Sequence, residues 1–176
     1  MSTFNKEHYN SGDGMMTAIW GPPMWHTLHT ISFNYPIKPN KEQKEDYYQY
    51  FKSLENVLPC KYCRDNYKDN LKVLKFGKNI FKDRDTLSRF VYKLHEMVNK
   101  NLGKDSGLTY YQVRDRYEHF RSRCLNDETK KDTKIEKGCT TPLYGVKSKC
   151  VLNIVPKSSK KKSLTIDSKC TIKNKK

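Results

Sequence analysis

The residues of this chain best suited to chemistry are Pro59-Cys60-Lys61-Tyr62-Cys63. Two thiols three residues apart, just after a proline, can pass between dithiol and disulfide. The sequence after them reads as a helix from Cys60 to about Lys75. Along it Cys63, Tyr67, Leu71 and Leu74 recur at steps of four, four and three and so share one face. That spacing puts Cys60 at the mouth of the helix and Cys63 one turn in, turned toward the core. Unpaired backbone N–H groups at a helix start favour thiolate, the attacking form in disulfide exchange. Lys61 and Arg64 push the same way.

A second set of groups is spread over two other helices. Trp25 and His29 lie one turn apart on one of them. His95 and Asn99 lie one turn apart on the other, on or beside its buried stripe. Buried polar groups need partners. A Trp, two His, an Asn and a Tyr inside a small bundle suit a planar polar ligand, with aromatic faces on its rings and the His and Asn on its edges. Lys100 and Lys104 flank the helix end and suit phosphates. A disulfide exchanger beside a flavin would use all of these groups. The plainer readings are weaker. His95 and Asn99 alone would be a satisfied core pair, and Trp20 reads as packing. Zinc on Cys60 and Cys63 needs two further ligands, and there is no second CxxC. A thioredoxin-like site needs strands beside its CxxC, and none is read there.

The elements that must hold these residues are helical. Residues 1–18 read as flexible, and Trp20-Gly21-Pro22-Pro23 as a turn into a first helix. On that helix Trp25, Leu28, His29 and Ser32 share a face, with Phe33 beside them; Tyr35-Pro36 closes it. A second helix runs from about Glu42 to Leu58, with Tyr47, Tyr48, Phe51, Leu54 and Leu58 as its stripe, core or dimer interface. The CxxC helix is third, stopped at Phe76-Gly77. A loop carries Ile80 and Phe81. The fourth helix has the most regular stripe: Leu87, Phe90, Val91, Leu94, His95, Val98 and Leu102, capped by Asp85 or Thr86 and stopped at Gly103. A short fifth starts at Thr109, which has capping-box spacing to Gln112, and turns Val113, Tyr117 and Phe120 inward. No strand is read before residue 140. The fold class is therefore all-α: a four-helix bundle plus a short fifth helix, followed by a largely irregular arm.

Composition agrees. The chain has 176 residues, 35% of them hydrophobic, and a formal charge of +16. Residues 125–176 hold 14 Lys against five acidic residues, so more than half of that charge sits in the arm. Val151 to Val155 is its one apolar island, readable as a short strand. The lysine run at 160–162 reads as solvated charge; contact with nucleic acid is open, without a groove-reading motif to support it. No apolar run reaches the length of a membrane helix, and the N-terminus lacks the apolar stretch of a signal peptide. Cysteines in a chain that does not enter the secretory route are more often redox-active or metal-binding than structural.

The chain resembles the Erv/ALR family of FAD-linked sulfhydryl oxidases, and looks most like the short viral members from large DNA viruses. The resemblance covers Trp20 to Cys124. It rests on Trp20-Gly21-Pro22-x-x-Trp25-x-x-Leu28-His29, Tyr35-Pro36, Pro59-Cys60-x-x-Cys63 and His95-x-x-Val98-Asn99-x-x-Leu102-Gly103-Lys104, in order. It implies an FAD-binding bundle at 19–124, between a flexible 1–18 and a basic cysteine-containing arm at 125–176. It implies that Trp25, His29 and Tyr35 contact FAD from the first helix, and His95, Val98, Asn99 and Lys104 from the fourth. Tyr117 is the aromatic nearest the family's adenine-side tryptophan. Cys63 would face the isoalloxazine and Cys60 would receive electrons by exchange, with O2 as final acceptor and peroxide as product. The partners implied are protein thiols, a thioredoxin-like redox protein as one source of them, and a second copy in a homodimer. The location implied is host cytoplasm or virion for a viral chain. Many members also tie the fourth helix to the next segment by a disulfide; Tyr92 and Thr109 stand at the matching positions, so that bond is absent. Many carry a second cysteine pair on an arm. Cys124/Cys139 and Cys139/Cys150 both suit such a shuttle, and either suits a structural disulfide, with Cys170 free or intermolecular. The alternative to an enzyme is a zinc-stabilised or basic helical binding module.

Overall fold

The computed structural model describes residues 5–123, 139, 141–144, 150–152 and 164–166. The chain divides into two units, Met1–Tyr117 and Glu118–Lys176.

The first unit is helical: α1 (Lys6–Tyr9), α2 (Thr17–Asn34), α3 (Lys41–Val57), α4 (Lys61–Val73), a 3-10 turn (Lys78–Phe81), α5 (Arg84–Asn101) and α6 (Tyr110–Glu118). Local chemistry sets most of these ends. Asn40 and Gln43 form a reciprocal capping box on α3. Asp83, not Asp85 or Thr86, caps α5: its Oδ1 accepts the Thr86 N–H at 2.9 Å. Thr109 caps α6, with its own N–H donating to Gln112 Oε1 at 2.8 Å. At the far end of α5 the Lys104 N–H returns to Asn99 O and the Gly103 N–H to Lys100 O, with Gly103 at φ 64°. This is the Schellman stop the sequence foretells. The CxxC helix ends earlier than Phe76-Gly77 suggests. Lys75, at φ 52°, takes the left-handed position, and the Phe76 N–H reaches Leu71 O at 2.9 Å. Trp20-Gly21-Pro22-Pro23 is not a turn. α2 begins at Thr17 and runs straight through both prolines.

The core lies between α2, α3, α4, α5 and the 3-10 turn. Phe51, Phe81, Leu87, Val91 and Leu94 are fully buried there, and Tyr47 and Tyr48 pack against it from α3. A smaller cluster of Phe33, Tyr110 and Val113 seats α6 on α2. Two residues assigned to apolar faces lie outside. Leu102 is 61% exposed because it is the cap beyond the last turn of α5, and Phe120 is 58% exposed because α6 has already ended.

In the second unit, β1 (Ser122–Arg123) pairs antiparallel with β2 (Thr141–Pro142), and β3 (Cys150–Leu152) with β4 (Leu164–Ile166). The island at 151–155 is thus a strand over its first two residues. β1 falls before residue 140, where none was expected; two residues are too few to show strand alternation in a sequence. Lys160 to Lys162, Cys124 and Cys170 lie outside the described residues. Among the described residues no helix is long and apolar enough to cross a membrane.

Candidate functional site

Cys60 is the N-cap of α4. Its backbone is extended, at φ −158° and ψ 122°, and its Sγ accepts the Cys63 N–H at 3.2 Å. A cap side chain ordinarily supplies an oxygen here; the thiol does the same work. Both cysteines are free and half-buried. Cys63, unlike Cys60, packs against the main core. Burial, and then the neighbouring Cys60 thiol, push the Cys63 thiol up to about 11. The dithiol therefore holds a proton on Cys63 at neutral pH. The two nearby cations are engaged elsewhere. Lys61 pairs with Asp65 at 2.7 Å, and Arg64 Nη1 donates to Leu58 O at 2.6 Å.

Across the bundle, α2 and α5 bring the planar groups together. The Trp25 ring stacks on His95 with centroids 4.1 Å apart and planes 4° apart. His29 Nε2 and His95 Nδ1 share a hydrogen bond of 3.0 Å. Tyr117 joins from α6, its ring 5.1 Å from His29 and 5.2 Å from Phe33. Desolvation holds His29 down at about 3, with His95 and His26 adding to it; burial lowers His95 too. Both imidazoles are neutral at pH 7, so a single proton lies between them. His29 Nδ1 is buried with no hydrogen-bond partner among the described residues. Leaving such a group unsatisfied costs roughly 1–3 kcal/mol. The donor set around it fits a flat heteroaromatic ligand that presents polar atoms at its edge.

The remaining assigned residues fall in three groups. Val98 and Asn99 are half-buried on the next turn of α5, and Asn99 Nδ2 reaches Glu96 Oε1 at 3.1 Å. Lys104 and Lys100 are exposed at the end of that helix. Tyr35 is not brought into the cluster. It is fully buried in the core, with its hydroxyl donating to Phe81 O at 2.9 Å and its ring against Tyr47. Cys139 is disulfide-bonded, and not to Cys60 or Cys63, which are free. Cys150 opens β3. Among the described residues no group of His, Cys, Asp and Glu could hold a metal. Three residues near the site were not assigned to it from the sequence. His26 Nδ1 meets the Tyr117 hydroxyl at 3.2 Å, Phe33 stacks on Tyr117, and Asn70 on α4 is buried with no partner for its Nδ2 among the described residues. His26 follows Trp25 directly, off the inward stripe, so only the arrival of α6 gives it a role.

The model of the Erv1 / Alr family matches residues 22–134. The chain belongs to the Erv1/Alr family. It is 36% identical over 96 residues to a protein of Acanthamoeba polyphaga mimivirus named "Probable FAD-linked sulfhydryl oxidase", covering 54% of this chain and 66% of that one. It is 30% identical over 84 residues to the mitochondrial FAD-linked sulfhydryl oxidase ERV1 of Saccharomyces cerevisiae, covering 48% of this chain and 43% of that one. The match thus spans under half of the yeast relative and about two thirds of the viral one. Erv1/Alr folds among solved structures agree. The FAD-binding domain of yeast Erv1 superposes with a TM-score of 0.51 at 26% identity, over 58% of this chain and 95% of that one. The yeast Erv1 core gives 0.53 at 21% identity, over 66% and 96%.

Proposed function

We propose that this Erv1/Alr chain is an FAD-dependent thiol oxidase that makes disulfides in protein substrates. The observation that carries this reading is the pairing, in one helical unit, of a free CxxC at a helix start with a cluster of Trp25, His29, His95 and Tyr117 holding an open buried nitrogen. The relatives' names add FAD and the sulfhydryl oxidase activity.

In the disulfide form of the pair, a substrate thiolate attacks Cys60 Sγ and Cys63 leaves, giving a mixed disulfide. The second substrate thiol then attacks the substrate sulfur and Cys60 leaves. Two electrons and two protons pass to the Cys60/Cys63 dithiol while one substrate S–S bond forms. Cys60 suits the exchanging role because it lies at the helix cap, and Cys63 the inner role because it packs on the core. FAD bound beside the pair would supply the acceptor for the two electrons and two protons of the dithiol and their route to O2, with hydrogen peroxide as product. Trp25, His95 and Tyr117 would hold its rings, and His29 Nδ1 and Asn99 its polar edges. Val98 would line the site, and Lys104 would meet the phosphates. We further assign the Cys139 disulfide either to an arm that relays electrons from substrate or to a structural brace, with a homodimer as the working state and, for a viral chain, host cytoplasm or virion as the location.

The test is the visible absorption spectrum of the purified chain, followed by oxygen uptake with dithiothreitol. Flavin bands that survive gel filtration, with oxygen consumed, support the oxidase. A colourless chain that FAD cannot reconstitute removes it.

A further inference from the structure

Trp20 belongs to the first motif in the sequence, yet neither the ring cluster nor the thiol pair uses its side chain directly. Its indole Nε1 donates to Met15 O at 3.0 Å. The N–H of the same Met15 donates to Pro59 O at 2.8 Å. One residue of backbone thus joins α2 to the peptide that precedes Cys60. The neighbouring Gly14 is fitted against that peptide. A Cβ there would stand 2.9 Å from Pro59 O, closer than side chains tolerate, and a tight 3.2 Å from Cys60 Cα. The strap is not held by apolar burial, since the Met15 and Met16 side chains are 69% and 71% exposed. It is held by hydrogen bonds to backbone. On its other side the same turn is fixed at Leu58 O, which accepts the Cys60 N–H at 2.8 Å and Arg64 Nη1 at 2.6 Å.

We propose that Trp20 is a positioning residue for the thiol pair, acting through Met15 on the Pro59–Cys60 peptide. Fixing the Pro59 carbonyl fixes the plane of the peptide that leads into Cys60. That plane holds Cys60 extended, with its Sγ on the Cys63 N–H. An N–H aimed at a sulfur favours its attacking form. The strap therefore sets how readily Cys60 exchanges, through the backbone rather than by touching its sulfur. The inference rests on reading Cys60 and Cys63 as the redox pair, but not on the flavin.

Trp20→Phe keeps an aromatic ring and removes the donor; Gly14→Ala sets a Cβ against Pro59 O. Asn40→Ala, which removes the α3 cap far along the chain, serves as the stability control. Two readouts are made on the full reduced chain without turnover. The first is the rate at which iodoacetamide labels Cys60, resolved from the other cysteines by peptide mass mapping. The second is the equilibrium of the pair with glutathione, in which oxidised glutathione takes two electrons and two protons, forms the Cys60–Cys63 bond and leaves as two thiols. Loss of one hydrogen bond's worth of positioning is expected to slow labelling about threefold to tenfold in Trp20→Phe and Gly14→Ala, and to shift the glutathione equilibrium. Asn40→Ala is expected to leave both within about twofold. The inference is overturned if both strap variants stay within that range, or if the control moves as far as they do. A chain that binds no FAD still gives both readouts, so failure of the oxidase reading and failure of this one are separate results.

Discussion

His29 has a buried imidazole that cannot afford charge, and that has a measurable consequence. Its pKa lies near 3 in the fold because burial, then His95 and His26, oppose the cation; unfolded, it returns to the ordinary histidine value of 6.5. The unfolded chain thus binds the extra proton between these values. Stability from this group is whole above about pH 6.5 and declines as pH falls toward 3, by up to about 1.4 kcal/mol per pH unit. Urea midpoints of the native chain should fall more steeply from pH 7 to 5 than those of His29→Gln, and parallel slopes would refute the burial argument. The thiols carry a second prediction. Cys63→Ser should abolish dithiothreitol oxidation while retaining FAD, because the inner sulfur alone packs on the core. Cys60→Ser should also lose turnover; full turnover in Cys60→Ser by oxygen uptake would reverse the assigned roles. At this scale the sequence carried much. Trp25, His29 and His95 were legible because helical spacing turns them inward from two stripes. Tyr35 misled because a tyrosine at a helix end reads alike whether its hydroxyl meets a ligand or, as here, the Phe81 carbonyl.

Some element ends with a chemical signature were legible, though the Asp83 cap of α5 was placed two to three residues late. The Thr109/Gln112 box and the Gly103 stop lie where their residues place them, whereas the Asn40/Gln43 box, on residues read as loop and early helix, emerges only in the structure. The start of α2 was not legible. Prolines at 22 and 23 read as a turn, yet the helix starts at Thr17 and includes both, with Leu28, His29 and Phe33 buried further along it. Nor was the end of α4, where lysine takes a conformation that usually calls for glycine. Lys75→Gly should therefore stabilise the chain by about 0.5–1 kcal/mol in urea unfolding, since it relieves the left-handed strain of a residue with a Cβ. The joint between α5 and α6 makes a further case. Where a disulfide was expected to be missing, the Tyr92 hydroxyl donates to Leu108 O at 2.7 Å, and Ser88 and Asp85 reach the Tyr110 hydroxyl at 2.9 and 3.2 Å. Arg89 lies over the Tyr110 ring at 4.0 Å. No reductant can open these contacts. Tyr92→Phe should cost about 1 kcal/mol, and the loss should be the same with and without dithiothreitol.

For the whole molecule the question is what the second unit adds to the first. The helical unit has its own core, its ring cluster and its thiol pair, all within Met1–Tyr117. A small dithiol needs no relay to reach Cys60. A folded protein substrate is bulkier, and a cysteine pair tethered to the enzyme meets the CxxC at an effective concentration in the millimolar range when the span allows. Cys139 is disulfide-bonded. If that bond relays electrons, Cys139→Ser should leave dithiothreitol oxidation within about twofold and slow oxidation of a reduced protein about tenfold or more. If it only braces the second unit, both rates should hold while the melting temperature falls. A basic arm that recruits acidic substrates predicts a third pattern: Cys139→Ser is silent, and raising salt from 50 to 300 mM slows the protein substrate alone, because exposed charges are screened beyond roughly 10 Å at 0.1 M. Oxygen uptake on the two substrates, at two salt concentrations, with and without Cys139, distinguishes all three.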